Sequence, residues 1–328
     1  MIRWGIISTG TIARNFADVL NRMNGEGKAV LGGVASRDIE KAKAFAERLN
    51  VPEYHGSYEA LAVAPDIDAV YVATPNNLHF ENVCLCLDAG KHVLCEKPFT
   101  INAAQARELY VRAREKKLFL MDGLWIVHLP VLKKLKELLA EGIIGEVQHI
   151  RADYGFTATG ARKDRKFNSD LGGGALLDVG VYNICFAHFV MDAMPTTIKS
   201  HLRINEYGTD DFNAVILEYP GIKSAVLTSS IGVTMPTEGV IYGTKGRIYL
   251  PNYQRAQSMT VYIDGSEAME IKIPFDINGF EYQIREAGHC IENGMLTSSR
   301  LTEDFSVGVM QTLDDIRSQC CMRFSFEK

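Results

Sequence analysis

The sequence predicts an α/β chain in two parts: a parallel sheet wound with helices over residues 1–122, then an α+β part over residues 123–328 on a largely antiparallel open sheet. Three observations predict it. Short apolar strands alternate with amphipathic helices through the first part. A turn of small residues joins the first strand to the first helix. Beyond Gly145 strands follow one another with hairpin-like gaps, split by Gly, Pro and Asn.

The 328 residues suit two domains better than one. A formal net charge of -5 argues against nucleic acid or an anionic membrane surface as the main partner. Seven cysteines include no C-x-x-C pair; Cys84 and Cys86 share a helix, and Cys320 and Cys321 are adjacent. That pattern makes neither a disulfide frame nor a zinc site, so no metal is expected, and it suits a reducing cytoplasm. Met1-Ile2-Arg3-Trp4 leads straight into a strand without the regions of a signal peptide, and no run of about 18 apolar residues is expected to span a membrane.

Arg3 to Ser8 is a compact apolar strand. It passes through Ser8-Thr9-Gly10-Thr11-Ile12-Ala13 into a helix carrying Phe16, Val19, Leu20 and Met23 on its inner face. The turn fits the dinucleotide fingerprint G-x-G-x-x-G/A, with Ser8, Gly10 and Ala13 in the three small-residue places. The middle glycine lets backbone approach a pyrophosphate, and the small third residue lets the helix lie close to the strand. Ser8, Thr9, Gly10, Thr11 and Ile12 are therefore expected to hold a dinucleotide in a Rossmann domain.

The second strand, Ala29 to Ala35, ends at Ser36-Arg37-Asp38. An NAD-preferring site places an acid there, on the ribose 2′-hydroxyl. A hydroxyl and a guanidinium instead suit a 2′-phosphate, so NADP is favoured and NAD left possible. The plainer alternative is that Ser36 only caps the next helix.

After a short helix opened by Ser57, Ala69 to Ala73 forms a buried strand ending in Thr74-Pro75-Asn76-Asn77-Leu78-His79, a polar loop expected beneath the nicotinamide ribose. The following helix stops at Gly90. His92 to Cys95 is then a short buried strand running into Glu96-Lys97-Pro98. A carboxylate and an ammonium at the carboxyl end of such a strand stand where open α/β sheets bind ligands; the alternative is a surface ion pair worth about 0–1 kcal/mol. A helix (Ala103 to Lys116) and a sixth strand, Leu118 to Met121, close this part.

The turn with Ala13, the Ala73-Thr74-Pro75-Asn76 loop and Glu96-Lys97-Pro98, in this order, resemble the Gfo/Idh/MocA oxidoreductase family. The resemblance implies that Lys97 lies near both nicotinamide and substrate, and that Thr74, Pro75, Asn76, His79 and Glu96 serve the cofactor. Ser8 in place of glycine departs from the fingerprint.

In the second part, Pro130 to Glu141 is an amphipathic helix stopped by Gly142. Strands are expected from Val147 to Tyr154, Thr197 to Ile204, Asn213 to Tyr219, Ala225 to Ile231, Val240 to Tyr242, Arg247 to Leu250, Thr260 to Ile263 and Met269 to Ile273. Helices cover one face of their sheet. The other face needs cover, and a homodimer or homotetramer through the sheet is what the family implies.

Gly172-Gly173-Gly174 precedes a helix on which Asp178 and Tyr182, four apart, share a face. The plain alternative is a pair that only holds the helix. The family has Gly-Gly-x-x-x-Asp-x-Gly here, its Asp directed at substrate, often with His where Tyr182 stands. Tyr182 resembles the dimeric dihydrodiol dehydrogenase subgroup, which also oxidises D-xylose with NADP. In that subgroup Trp125 would line the pocket; otherwise it is a core or interface tryptophan. The stretch from Thr157 to Asp170, with Arg162, Lys163, Arg165 and Lys166, reads as a lid or a solvated loop, the solvated loop being the safer reading.

The expectation is an NADP-dependent dehydrogenase acting on a small molecule, a carbinol or hemiacetal carbon of a sugar or cyclic diol. Its oxidation needs a base within reach of the hydroxyl. A free phenol is a poor base at neutral pH, and an adjacent ammonium lowers the cost of phenolate; the base is Tyr182 or Lys97. Asp178 orients a second hydroxyl or tunes Lys97. The alternatives are an inositol or polyol dehydrogenase and a non-catalytic NADP-binding regulator, which has no need of Lys97, Asp178 and Tyr182 together.

Overall fold

The computed structural model describes residues 1–327, the side chains of Ala161 and Arg162 apart, so Arg162 of the basic stretch lies outside the described side chains. The chain forms two compact units. One is Met1–Trp125 with Asp276–Ser306; the other is Ile126–Phe275 with the residues from Val307 on. The sequence placed a boundary at 122 and kept everything after it together. The return of Asp276–Ser306 to the first unit carries no local signal, because a helix facing one core has the same periodicity as a helix facing another.

The first unit holds β1 (Ile2–Ile7), β2 (Ala29–Ala35), β3 (Glu53–His55), β4 (Ala69–Val72), β5 (His92–Cys95) and β6 (Leu120–Asp122). All pair in parallel, in the order β3-β2-β1-β4-β5-β6. Helices cover both faces of such a sheet, which is why β1 and β4 read as unbroken apolar runs. Helix α1 (Thr11–Met23) stacks Phe16 on Tyr71, ring centroids 3.7 Å apart, and sets its edge to Trp4. Strand order reverses between β1 and β4, so the carboxyl ends of these strands flank the crevice where such sheets take ligands. In the return segment, Phe280–Glu292 (α9 in chain order) packs on α1 and β2. Its Arg285 clamps Glu26 through two hydrogen bonds of 3.1 and 2.6 Å.

The second unit has one eight-stranded sheet: β7 (Val147–Gly155), β8 (Thr197–Ile204), β9 (Asp210–Glu218), β10 (Ser224–Ser230), β11 (Met235–Gly243), β12 (Gly246–Pro251), β13 (Ser258–Ile263) and β14 (Met269–Lys272). Its order is β14-β13-β12-β11-β7-β10-β9-β8, antiparallel except where β10 lies parallel to β7. Against one face lies α8 (Val181–Met191), apolar on all sides because it is buried on all sides. At Gly239 in β11 an added Cβ would come 2.9 Å from the Phe186 ring, so glycine there lets the ring seat on the sheet. The segment Ser169–Met191, 23 residues with a window of mean hydropathy 1.4, is by length and composition alone apolar enough to cross a membrane, but 94% of that window is buried inside the fold, as in a core helix.

The opposite face carries a row of register neighbours: Ile216, Val226, Arg151, Val240 and Tyr249. Ile216 and Val226 are 43% and 37% exposed. The expected solvated loop contains instead a short helix, α7 (Ala161–Lys166).

Candidate active site

In the first unit three strand ends carry the expected residues. After β1, Ser8 takes φ 112°, a conformation glycine adopts without strain, and its Oγ accepts a 3.2 Å hydrogen bond from Gly10 N. Gly10 itself has φ -71°, and a Cβ there would meet nothing nearer than Ser8 Oγ at 3.5 Å. The protein's own packing gives no reason for glycine at position 10; close approach of a ligand does. No side chain caps α1 and no acid stands in its first turn, so the amide groups of Thr11 and Ile12 begin the helix as an anion-binding terminus next to Thr9. These residues fit a dinucleotide pyrophosphate.

After β2, Ser36 is nearly buried and its Oγ accepts from Asp38 N at 3.3 Å. Asp38, not Ser36, caps α2 (Ile39–Leu49), accepting from the amides of Glu40 and Lys41. Arg37 is exposed and has no hydrogen bond or ion pair among the described residues. A guanidinium beside a hydroxyl suits a phosphate monoester.

After β4, Thr74 is buried, and Pro75 and Asn76 run into a short 3-10 turn, Asn76–Leu78. His79 opens α4 (His79–Asp88) and is fully buried, its Nε2 2.9 Å from Thr74 O and its Nδ1 2.8 Å from Pro98 O. Burial holds its pKa below the usual value, against the pull of those two carbonyls. A ring so enclosed ties two loops together.

After β5, Lys97 is half-buried and joins Pro98 through a cis peptide bond. Glu96 is turned inward: its carboxylate accepts from the Tyr71 hydroxyl and, at 3.2 Å, from Lys97 N. Glu96 thus braces the turn that carries Lys97. Behind it lies Asp122, the register partner of Cys95 and 1% exposed. Burial and the neighbouring Glu96 carboxylate push its pKa well above the ordinary range. Sequence reasoning passed over Asp122, although an acid closing an apolar strand was a signal for it. Trp125 is buried and stacked on Phe280 at 5.1 Å, in the core of this unit.

In the second unit Asp178 sits in a π-helical turn, Leu176–Gly180, that runs into α8. Such turns recur at functional sites. Tyr182 follows on the first turn of α8, 8% exposed, its ring 6.0 Å from Tyr154. The Asp178 carboxylate pairs with Lys166 Nζ, each side chain 13% exposed. Lys166, assigned to a solvated loop by the sequence, is therefore part of this site. Asp210 holds the start of the turn, accepting from Leu176 N at 2.9 Å and from Asn213 Nδ2 at 3.0 Å.

A parallel sheet in this order, a helix terminus open to a pyrophosphate, and an ammonium at a strand end define a dinucleotide-dependent oxidoreductase. The chain matches the model of the oxidoreductase family with an NAD-binding Rossmann fold over residues 2–124, and that of the Gfo/Idh/MocA C-terminal domain over residues 132–249. It is 35% identical, over 97% of each chain, to trans-1,2-dihydrobenzene-1,2-diol dehydrogenase of Xenopus laevis. To the Homo sapiens enzyme of that name it is 34% identical, over 100% of this chain and 99% of the relative. The crystal structure of a 3-ketoreductase from Actinomadura kijaniata with NADP and TDP-benzene is similar at a TM-score of 0.86 and 28% identity, covering 97% of each chain. An aldose-aldose oxidoreductase from Caulobacter crescentus shares the fold at a TM-score of 0.87 and 23% identity, covering 97% of this chain and 96% of that one. The chain belongs to the Gfo/Idh/MocA oxidoreductase family.

Proposed function

We propose that the chain is an NADP-dependent dehydrogenase that transfers a hydride between the cofactor and a CH–OH carbon of a cyclic trans-diol or an aldose. The observation that carries this reading is the near-full-length likeness to the trans-1,2-dihydrobenzene-1,2-diol dehydrogenases, 35% over 97% of both chains. When bound, the nicotinamide supplies the hydride acceptor.

The chain's own residues do the rest. Gly10 and the α1 terminus hold the pyrophosphate, and Ser36 and Arg37 hold the 2′-phosphate, which an acid in that place would repel. Thr74, Pro75 and Asn76 bound the ribose side. Tyr182 or Lys97 takes the hydroxyl proton, and Asp178 accepts a hydrogen bond from a second hydroxyl, fixing which carbon reacts. Trp125 acts through Phe280, as a wall of the first unit.

We also place the working enzyme in the cytoplasm, on the cysteine pattern, and assemble it as a homodimer through the outer sheet face carrying Ile216 and Val226.

The test is the initial rate of NADP⁺ reduction against aldoses, inositols and aromatic trans-dihydrodiols. Turnover of a dihydrodiol or an aldose is expected. Activity confined to inositols would move the substrate class, and no turnover of any substrate despite tight NADPH binding would indicate a regulator.

A further inference from the structure

We propose that Lys166 is the positioning residue for Asp178 and that the two together recognise the second hydroxyl of a vicinal-diol substrate. The inference rests on the functional reading above and extends it to a residue twelve positions before the acid.

Three elements converge on the Lys166 ammonium. It pairs with Asp178 on the π-helical turn, and it lies 5.1 Å over the ring of Phe156, just past the end of β7. Its stem belongs to the last residue of α7. The main chain is fixed as firmly. Lys166 O accepts from Gly174 N at 2.8 Å, and Asn168 O accepts from Gly173 N at 3.0 Å. A Cβ on Gly173 would run into Lys166 O and come within 2.9 Å of Asn168 O. Gly174 has φ 118°, and a Cβ there would collide with Asp210 Oδ1. The glycines before Asp178 thus admit the Lys166 segment against the start of the turn.

A surface lysine gains little from such an arrangement, since an exposed pair is screened by solvent and loses side-chain entropy. At 13% exposure on both sides the pair instead fixes the carboxylate's orientation. Tyr182 stands next along the same helical path, with Tyr154 beside it and Phe156 beyond. An oriented carboxylate beside a phenol on an aromatic floor suits a ring bearing two adjacent hydroxyls, one reacting and one held. Lys166 acts through Asp178 and needs no contact with the reacting carbon.

The experiment compares wild type with Lys166→Met, which retains the stem over Phe156, Lys166→Gln, which retains a neutral donor, and Lys166→Arg. Steady-state kinetics use a trans-dihydrodiol and its mono-hydroxy analogue; calorimetry measures binding of the diol and of NADPH. Lys166→Met and Lys166→Gln are expected to lose about ten- to a hundredfold in kcat/KM and in diol affinity. They should change less than about threefold on the mono-hydroxy analogue and in NADPH affinity, and Lys166→Arg should recover most of the loss. Equal losses on both substrates would make Lys166 a structural residue and overturn the proposal. If Lys166→Met does not fold, Lys166→Gln decides by the same ratio. Wild type that binds diol without turning it over refutes the dehydrogenase reading, while the binding ratio still tests Lys166. Wild type that neither binds nor oxidises any vicinal diol overturns both.

Discussion

At the scale of single residues the site divides by what each side chain is for. Tyr182 and Arg37 are the residues at which a single substitution best separates the proposed roles. Tyr182→Phe keeps the ring beside Tyr154 and deletes one oxygen; loss of a general base should lower kcat about 10²–10⁴-fold with the NADPH dissociation constant unmoved. A kcat within a few-fold of wild type would transfer the base to Lys97. Arg37→Ala removes a charge-assisted contact and should weaken NADP(H) about ten- to a hundredfold, NAD(H) hardly at all. Equal weakening of both cofactors would tie Arg37 to the fold. Gly10, Arg37 and Lys97 were legible in the sequence as residues at strand ends, which periodicity locates and where open α/β sheets take ligands. His79 and Glu96 were legible as members of the right loops but not as inward braces, since burial is not written in a loop. Lys166 was hidden because its partner is met only through a turn that Gly173 permits.

Among the elements, the turn before α8 concentrates the constraints. Gly173→Ala places a methyl group against two carbonyl oxygens with no flexible atom to yield, and overpacking of this kind costs about 1–3 kcal/mol. Denaturant unfolding should show the loss, and kcat/KM for a diol should fall with it, because Lys166 is displaced. Asp210, which holds the other side of the turn, makes the element sensitive to pH. Burial pushes its pKa from 3.8 up to about 7. The folded state therefore binds this proton more tightly than the unfolded chain, so Asp210's contribution is fully present below pH 3.8 and is lost as pH rises through about 7. Over that interval the loss reaches about 4 kcal/mol. Asp210→Asn keeps an acceptor for Leu176 N and stays neutral, so its Tm should exceed that of wild type by a margin that widens between pH 5 and pH 8. Parallel Tm curves would mean that the carboxyl ionises freely. The strands of the second unit were readable from alternation. The π-helical turn was not, because its extra residue leaves the apolar pattern of a buried helix unchanged.

At the scale of the whole molecule, the proposed assembly rests on the second sheet's outer face, where Ile216 and Val226 are exposed. Ile216→Glu with Val226→Glu would set two carboxylates on adjacent strands of that face. Light scattering should give a dimer for wild type and a monomer near 36.4 kDa for the double variant. A wild-type monomer at micromolar concentration would sink the proposed dimer. The order of the chain has a different consequence. Trp125 waits for Phe280, and Glu26 waits for Arg285, both supplied by the return segment Asp276–Ser306. A ribosome adding ~5–20 residues per second therefore emits the last strand of the parallel sheet roughly 10–35 s before it emits the end of that segment. For that interval the nascent nucleotide-binding half is a sheet with an unsealed flank, while the whole antiparallel sheet is made behind it.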